Sequence, residues 1–406
     1  MKRLLIGIML ATALLVPAFG INIRIPSMQV TTMLFAYNGK LVTQTQTEMD
    51  LLVEGGYKFA GNIVIGFDGV MGFLSDPSYG QALPPLSFKA LSLEVRDIFG
   101  APLTLSYFLG VNDYLCYGDD FPRLFGTGYI EPSYRAYYYK INLSPIMTYL
   151  YEYRGVHRVN GNGVKLELQS PDMPFGFMLY VYQDHNFVTV DTLESVATPV
   201  VNMNYFFYNT GLYSADARFL FNTEVFKAEV FAGGTVESGT WTGYARLGAL
   251  AYVGLGAVDF LLIGGLPQLD FVSPFDISLF YLLFESRINA GPISIIPSAF
   301  MRPARYLQEA NPLEEGRIDF NLTIAVFNPR RDPVSFGVEG NLATAGIFSG
   351  STPAFQVNVL PFIAFATPGV FWEIKVGMTV WDSTVTLTMD DFLASLRGGI
   401  SIKAEF

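Results

Sequence analysis

The side chains equipped for chemistry are few and scattered. His157 and His185 are the only histidines and Cys116 is the only cysteine. That leaves no material for a Cys/His metal cage or a disulfide framework. His185 follows Asp184, but an adjacent carboxylate does not easily reach its neighbour's ring nitrogen as a hydrolytic triad requires. His157 stands in Tyr153-Arg154-Gly155-Val156-His157-Arg158, and both histidines are expected in loops between strands. No G-x-S-x-G, phosphate-cradling glycine loop, H-E-x-x-H or C-x-x-C occurs. The chain is therefore not expected to be an enzyme, and no cofactor or metal is implied. Asp119-Asp120 has the donor type for Ca²⁺, but a solvated acidic loop is the simpler reading.

One segment combines charge and aromatic character. Residues 112–134, NDYLCYGDDFPRLFGTGYIEPSY, hold Asp113, Asp119, Asp120, Arg123 and Glu131 among Tyr114, Tyr117, Phe121, Phe125 and Tyr129. This is a long connection between a strand at 103–112 and one beginning near Tyr137.

The elements that must position it alternate with period two. In 317–327, Ile318, Phe320, Leu322, Ile324 and Val326 interleave with Arg317, Asp319, Asn321, Thr323 and Ala325. In 370–381, Val370, Trp372, Ile374, Val376, Met378 and Val380 interleave with Phe371, Glu373, Lys375, Gly377 and Thr379. Shorter copies lie at 91–96, 103–112, 139–144, 164–169, 215–222, 226–232 and 385–389. Successive side chains of a strand point to opposite faces, so each segment has one apolar and one polar face. Tyr37-Asn38-Gly39-Lys40 carries a type I′ hairpin signal. Asp68-Gly69, Asn160-Gly161-Asn162-Gly163, Glu339-Gly340-Asn341 and Arg397-Gly398-Gly399 are expected as further turns. Proline marks connections at 79–85, 264–274, 301–316 and 328–333.

A single strand of this kind suits a soluble sandwich or a membrane barrel equally well. Composition separates the two. Charged residues are only 15% of the 406, against 51% apolar and 15% aromatic, where a soluble domain averages about 25% charged. A net charge of −11 disfavours nucleic acid as a partner. Spanning helices are a poor fit: the best window, 247–266, contains Asp259 and several glycines.

Residues 1–20 have the order of a cleavable leader: Lys2 and Arg3, then apolar Leu4 to Val16, then Ala18-Phe19-Gly20. The apolar run is shorter than the roughly 20 residues a spanning helix needs. One domain, 21–406, is expected to follow it and to be exported into a bacterial envelope.

The chain ends Ile400-Ser401-Ile402-Lys403-Ala404-Glu405-Phe406, with Ile400, Ile402, Ala404 and Phe406 on one face. This strand resembles the closing strand of bacterial outer-membrane β-barrels, the porin-like class, whose terminal aromatic strand is read by the barrel-assembly machinery. The resemblance implies an all-β, antiparallel, single-chain transmembrane barrel. Lipid requires every backbone polar group to be paired, so a spanning sheet closes on itself. At roughly 20 residues per strand and connection, about 18 strands are expected, within a range of 16–20.

The resemblance further implies an outer-membrane location, with lipid and small solutes as partners. A porin-like channel for passive diffusion of small hydrophilic solutes or ions ranks first, with mild cation preference. By the same resemblance, 112–134 is a candidate for a loop that folds into the lumen. Asp113, Asp119, Asp120, Arg123 and Glu131 would then form the constriction, facing wall partners among Arg135, Arg154, Arg158, Arg218 and Lys227. The alternatives are a fatty-acid-type transporter, for which Ile21–Ser27 offers too little chain to form a plug, and a structural or adhesive barrel without an open pore.

Overall fold

The computed structural model describes residues 21–406 apart from 38–39, 56–57, 73–85, 129, 134–154, 171, 187–209, 241, 271–278, 303–316, 329–331, 348–351 and 406. The leader 1–20, the segment 139–144 and the connection 79–85 thus lie outside the described residues.

The strands in chain order are β1 (Ile21–Arg24), β2 (Ser27–Tyr37), β3 (Lys40–Gly55), β4 (Phe59–Gly72), β5 (Leu86–Val95) and β6 (Leu103–Leu115). Next come β7 (His157–Gln169), β8 (Phe175–Asp184), β9 (Leu212–Asn222), β10 (Phe226–Glu237), β11 (Gly243–Gly254), β12 (Val258–Asp270) and β13 (Tyr281–Ala290). The last are β14 (Ile293–Arg302), β15 (Arg317–Val326), β16 (Val334–Ala345), β17 (Ala354–Thr367), β18 (Val370–Asp382) and β19 (Arg397–Glu405). Two short helices are α1 (Asp120–Phe125) and α2 (Met389–Ser395).

From β2 onward each strand pairs antiparallel with its neighbours in sequence, and β19 pairs with both β18 and β2: Ile400 lies opposite Ile374 on one side and Thr32 on the other. The sheet is therefore a closed ring without edges. Segments β1 and β2 both pair with β3, Arg24 opposite Leu52 and Met28 opposite Met49. The extra residue falls at Ile25-Pro26, where proline has no N–H to give the ladder, so the two segments are one bulged strand. The architecture is a closed antiparallel barrel of 18 strands.

Burial is inverted relative to a soluble protein. On β15, Phe320, Leu322 and Ile324 are 44–49% exposed, while Asp319 and Asn321 between them are at most 5% exposed. Leu179 and Val181 of β8, Val230 of β10, Leu262 of β12 and Val338 of β16 also face outward. The apolar face meets lipid and the polar face lines the lumen. At one end of the barrel the connections are short, as at Asn222–Phe226, Gly254–Val258 and Thr367–Val370. At the other end are the long ones, above all that between β6 and β7.

Four expected turns are instead strand interior: Asp68-Gly69 in β4, Asn160–Gly163 in β7, Glu339–Asn341 in β16 and Arg397–Gly399 in β19. The reason is visible in β7. A Cβ on Gly161 would sit 1.9 Å from the Gln183 carbonyl oxygen, and one on Gly163 would sit 2.2 Å from Tyr182 Cβ. These glycines permit close approach within the wall rather than a reversal of the chain. Part of the expected connection at 264–274 is likewise strand, with Pro267 at a β12 bulge. Segment 385–389 runs into α2, whose first turn is capped by the Thr388 hydroxyl. Tyr37 and Lys40 do pair across a two-residue connection, as the hairpin signal implied. Among the described residues no helix is long and apolar enough to cross a membrane, and 247–266 is divided between β11 and β12.

Candidate functional site: a loop across the lumen

Beyond β6 the chain turns inward. Cys116 and Gly118 take left-handed backbone conformations, and the Leu115 carbonyl accepts from Val156 N at 2.9 Å, tying the loop's two ends together. At Gly118 a Cβ would lie 2.8 Å from Ile130 Cγ1, so only glycine lets the two arms of the loop touch. Helix α1 follows and stops at Gly126, whose left-handed backbone donates to the Pro122 carbonyl. Its Phe121 and Leu124 are buried with Phe108, Met178, Tyr180 and Leu220 in the apolar cluster inside the barrel.

A run of alternating charge fixes α1 to the wall. Arg218 of β9 donates to both oxygens of Glu229 of β10 at 2.7 and 2.9 Å, and its Nη1 reaches Asp120. Asp120 accepts from Arg123 at 2.8 Å, and Arg123 pairs with Glu167 of β7 at 3.2 Å. Lys165 then joins Glu167 at 3.2 Å and Asp113 of β6 at 3.3 Å. Glu229 also accepts from the Cys116 backbone. Arg218 and Glu229 have no exposure at all. Such buried charges are tolerable because each has an opposite partner and hydrogen bonds.

The electrostatics of the loop follow from these partners. Burial pushes the Asp120 carboxyl up, but the Arg123 and Arg218 guanidiniums outweigh it and hold it far below the ordinary carboxylate range. Asp119, next in the chain, is pushed well above that range by burial and by the Asp120 charge. Burial, with Glu229 nearby, also raises the Cys116 thiol well above its ordinary value, so it is not a ready nucleophile.

Farther along, the loop reaches β13, seven strands round the ring from β6. Ser133 N donates to Glu285 at 2.8 Å, Arg287 donates to the Glu131 carbonyl, and Arg287 Nε meets Glu285 at 2.6 Å. Residues 116–128 and 130–133 thus form a strut across the lumen, held by ion pairs at α1 and by hydrogen bonds to Glu285 and from Arg287 at β13.

Behind the strut, the wall from β7 to β11 carries a second sealed network. Arg246 donates to both oxygens of Asp216 at 2.6 and 2.7 Å and to Thr235 at 2.6 Å, while Tyr182 donates to Asp216 at 2.9 Å. His157 Nε2 lies 3.0 Å from the Tyr182 hydroxyl. His157 is therefore a lumen-facing strand residue, not the loop residue expected. His185 does lie beyond the end of β8 and is buried, its N–H bonded to the Asn160 carbonyl at 3.0 Å. The Asp184 carboxylate is taken by Ser214 and the Asn186 N–H.

In front of the strut lies a cavity of about 800 Å³, lined by Ile130, Glu131 and Ser133 of the loop and by Arg287, Glu339 and Lys375 of the wall. It extends to Thr367 and Gly369 at the short-turn end.

No protein-family model matches the chain, and no curated protein matches it in sequence. Solved structures do match in fold. Acinetobacter baumannii OccAB1 superimposes with a TM-score of 0.55 at 9% identity, over 95% of this chain and 96% of that one. Pseudomonas aeruginosa OccK10 (OpdN) gives 0.52 at 9% identity, over 95% and 99%. Pseudomonas aeruginosa OpdL gives 0.51 at 9% identity, over 95% and 98%. By fold the chain is a closed antiparallel β-barrel like theirs.

Within this barrel the expected site residues take different places. Asp113, Asp120 and Arg123 belong to the charge run that holds α1, and Asp119 sits beside them. Glu131 lines the cavity. Of the expected wall partners, Arg218 meets Asp120, Lys227 lines the cavity near Asp259, and Arg158 bonds Asn186 at 3.1 Å. Arg135 and Arg154 lie outside the described residues. Glu167, Glu229, Glu285 and Arg287 had not been singled out as partners. Their signal was present only as charges on the polar face of strands, without any indication of height or opposite number. Ile400 and Ile402 face outward on β19, Ala404 shares their face, and Phe406 lies outside the described residues.

Proposed function

We propose that this chain is a bacterial outer-membrane channel for passive diffusion of small hydrophilic solutes or ions, without catalysis or cofactor. The observation that carries this reading is the charged strut, which divides a polar lumen and leaves a cavity beside it. A barrel meant only as a scaffold would be filled by side chains throughout, whereas here Glu131, Arg287, Glu339 and Lys375 surround open volume. Charges of both signs on a low-dielectric wall filter solutes by size and charge. In this reading the segment holding Asp113, Asp119, Asp120, Arg123 and Glu131 sets the narrowest level. Asp113, Asp120 and Arg123 brace it, and Glu131 faces the solute. Ile400, Ile402, Ala404 and Phe406 serve as the assembly signal for a chain delivered by the leader 1–20.

The test is single-channel recording of the detergent-refolded mature protein in a planar bilayer. A heat-dependent shift in gel mobility would confirm a folded barrel. Discrete conductance steps are expected. A folded barrel that never conducts would overturn the channel reading.

A further inference from the structure

The ring closes through β18, β19 and β2, but these strands are not equally long. The β19 ladder begins at Arg397, which lies opposite Gly377 of β18 and Phe35 of β2. Beyond that level β18 continues with β17, Thr379 opposite Asn358 and Asp382 opposite Gln356. β2 continues with β3 as far as Tyr37, opposite Lys40. The place that a longer β19 would occupy is taken by α2, which packs against both β18 and β2. Ser395 Oγ, in its last turn, accepts from Thr379 N at 3.0 Å, an amide of β18 beyond the end of the β19 ladder. Among the described residues no backbone hydrogen bond joins α2 to either strand.

The gap so filled faces lipid along β18. Outward side chains continue past Gly377: Val380 is 43% exposed and Trp381 49%. From Trp372, whose ring is stacked on Phe365, to Trp381 the strand covers about 20 Å of depth, at ~3.3 Å per residue and ~45° tilt, out of an apolar band of about 25 Å. Gly377 lies midway, so α2 stands in the half of that band nearer the long connections. A helix pairs its own backbone groups, so it can stand in a wall that meets lipid. For the same reason it can move aside without breaking a β ladder.

The lumen side of the gap is apolar. Gly377 leaves room there for Leu360, whose Cδ2 lies 3.3 Å from the place of a Gly377 Cβ. Phe362, next on the same face of β17, lines the cavity, and Lys375 Nζ lies 5.6 Å from its ring. Leu360 and Phe362 thus form a track from the cavity to the seam, with a charged group beside its inner end.

We propose that α2 is a movable stave of the barrel wall, which opens a lateral passage between the lumen cavity and the lipid. The molecules suited to it are single-chain amphiphiles, with the tail along Leu360 and Phe362 and the polar head in the cavity. This route is separate from diffusion along the barrel axis and does not depend on it.

The test is photolabelling in vesicles. The barrel would be folded into phosphatidylcholine vesicles containing a fatty acid with a diazirine near the end of its tail, illuminated, and its adducts mapped by mass spectrometry. Adducts are expected at Leu360 and Phe362 as well as at outward residues such as Val376. Thr379→Cys with Ser395→Cys, Cys116 being left in place, should pin α2 when oxidised. The Leu360 and Phe362 adducts should then be lost and should return on reduction, while those at Val376 stay. Should that pair not fold or not cross-link, Ser395→Ala, which removes the bond to Thr379, should raise the lumen adducts above wild type. Wild-type adducts confined to outward side chains would overturn the proposal. So would lumen adducts that persist through oxidation, which would have entered by the pore mouth, or that Ser395→Ala leaves unchanged. Conductance is read separately, so a barrel that passes this test without conducting ions sinks the channel reading and not the lateral passage.

Discussion

Arg218, rooted in the barrel wall, reaches the Asp120 carboxylate in the first turn of the lumen helix, and the guanidinium is wholly shielded from water. Further ion pairs extend from this pair on both sides. Arg123 backs Asp120 from one side and Glu229 backs Arg218 from the other.

Breaking the pair should release the strut. Arg218→Met leaves Asp120 and Glu229 buried without their shared counter-charge, a loss of about 3–5 kcal/mol for a buried pair missing one member. Single-channel steps should become larger and noisier than in wild type, and trypsin should cut after Arg123 in the folded barrel. Equal conductance and continued protection would show that the apolar face of α1 alone holds the loop.

The latch should also survive mild acid. The Asp120 carboxyl is held below its unfolded value by Arg123 and Arg218 despite burial. Its contribution is therefore fully present above about pH 4, the ordinary carboxylate value, and is lost only as pH falls through the lower folded value. Protection of the loop from trypsin is expected to stay constant from pH 7 to about pH 4. Asp119 has the opposite sign: its folded value is raised, so ionisation opposes the folded loop as pH rises. Asp119→Asn should accordingly protect the loop better at pH 7, seen as slower proteolysis, and make no difference at low pH.

Neighbouring residues of β15 offer a sharp test of which face meets lipid. Leu322 is 44% exposed on the outer wall, and Thr323 lines the cavity. Arginine on the lipid face near mid-membrane costs about 2–4 kcal/mol, whereas in the lumen it stays wet. Leu322→Arg should lower the fraction folded into vesicles, read from heat-modifiable gel mobility, and Thr323→Arg should not.

The same alternation explains how much of the molecule was legible beforehand. Strands such as 317–326 and 370–382 announce their faces by side-chain type, and a closed barrel follows once backbone groups must pair in lipid. The charged segment 112–134 was legible as unusual, with Arg218 among several possible partners. Partner choice was not legible, because Arg218 and Glu229 meet Asp120 only through barrel radius and strand stagger. Lys165, Glu167, Glu373 and Lys375 were visible as polar-face residues, yet nothing in a period of two says at what height each sits. Turn signals failed for a related reason: glycine marks either a reversal of the chain or a place where two strands crowd together, and a dipeptide does not distinguish them.

That ambiguity can be settled residue by residue. Gly161 and Gly340 both sit in Asn/Gly-rich segments, and both lie inside strands. At Gly161 a Cβ would meet the Gln183 carbonyl oxygen at 1.9 Å, a backbone atom that can move only by distorting the β7–β8 ladder. At Gly340 the nearest atom is the Leu322 carbonyl oxygen at 3.9 Å, an ordinary contact. Strand glycine is otherwise less favourable than alanine by roughly 0.5–1 kcal/mol, because it loses more chain entropy on folding. Gly340→Ala should therefore be neutral or slightly stabilising, and Gly161→Ala should lower the yield of folded barrel. Urea midpoints in detergent for the two variants measure this directly. A harmless Gly161→Ala would mean that the β7–β8 contact relaxes, and that the glycine there serves no steric purpose.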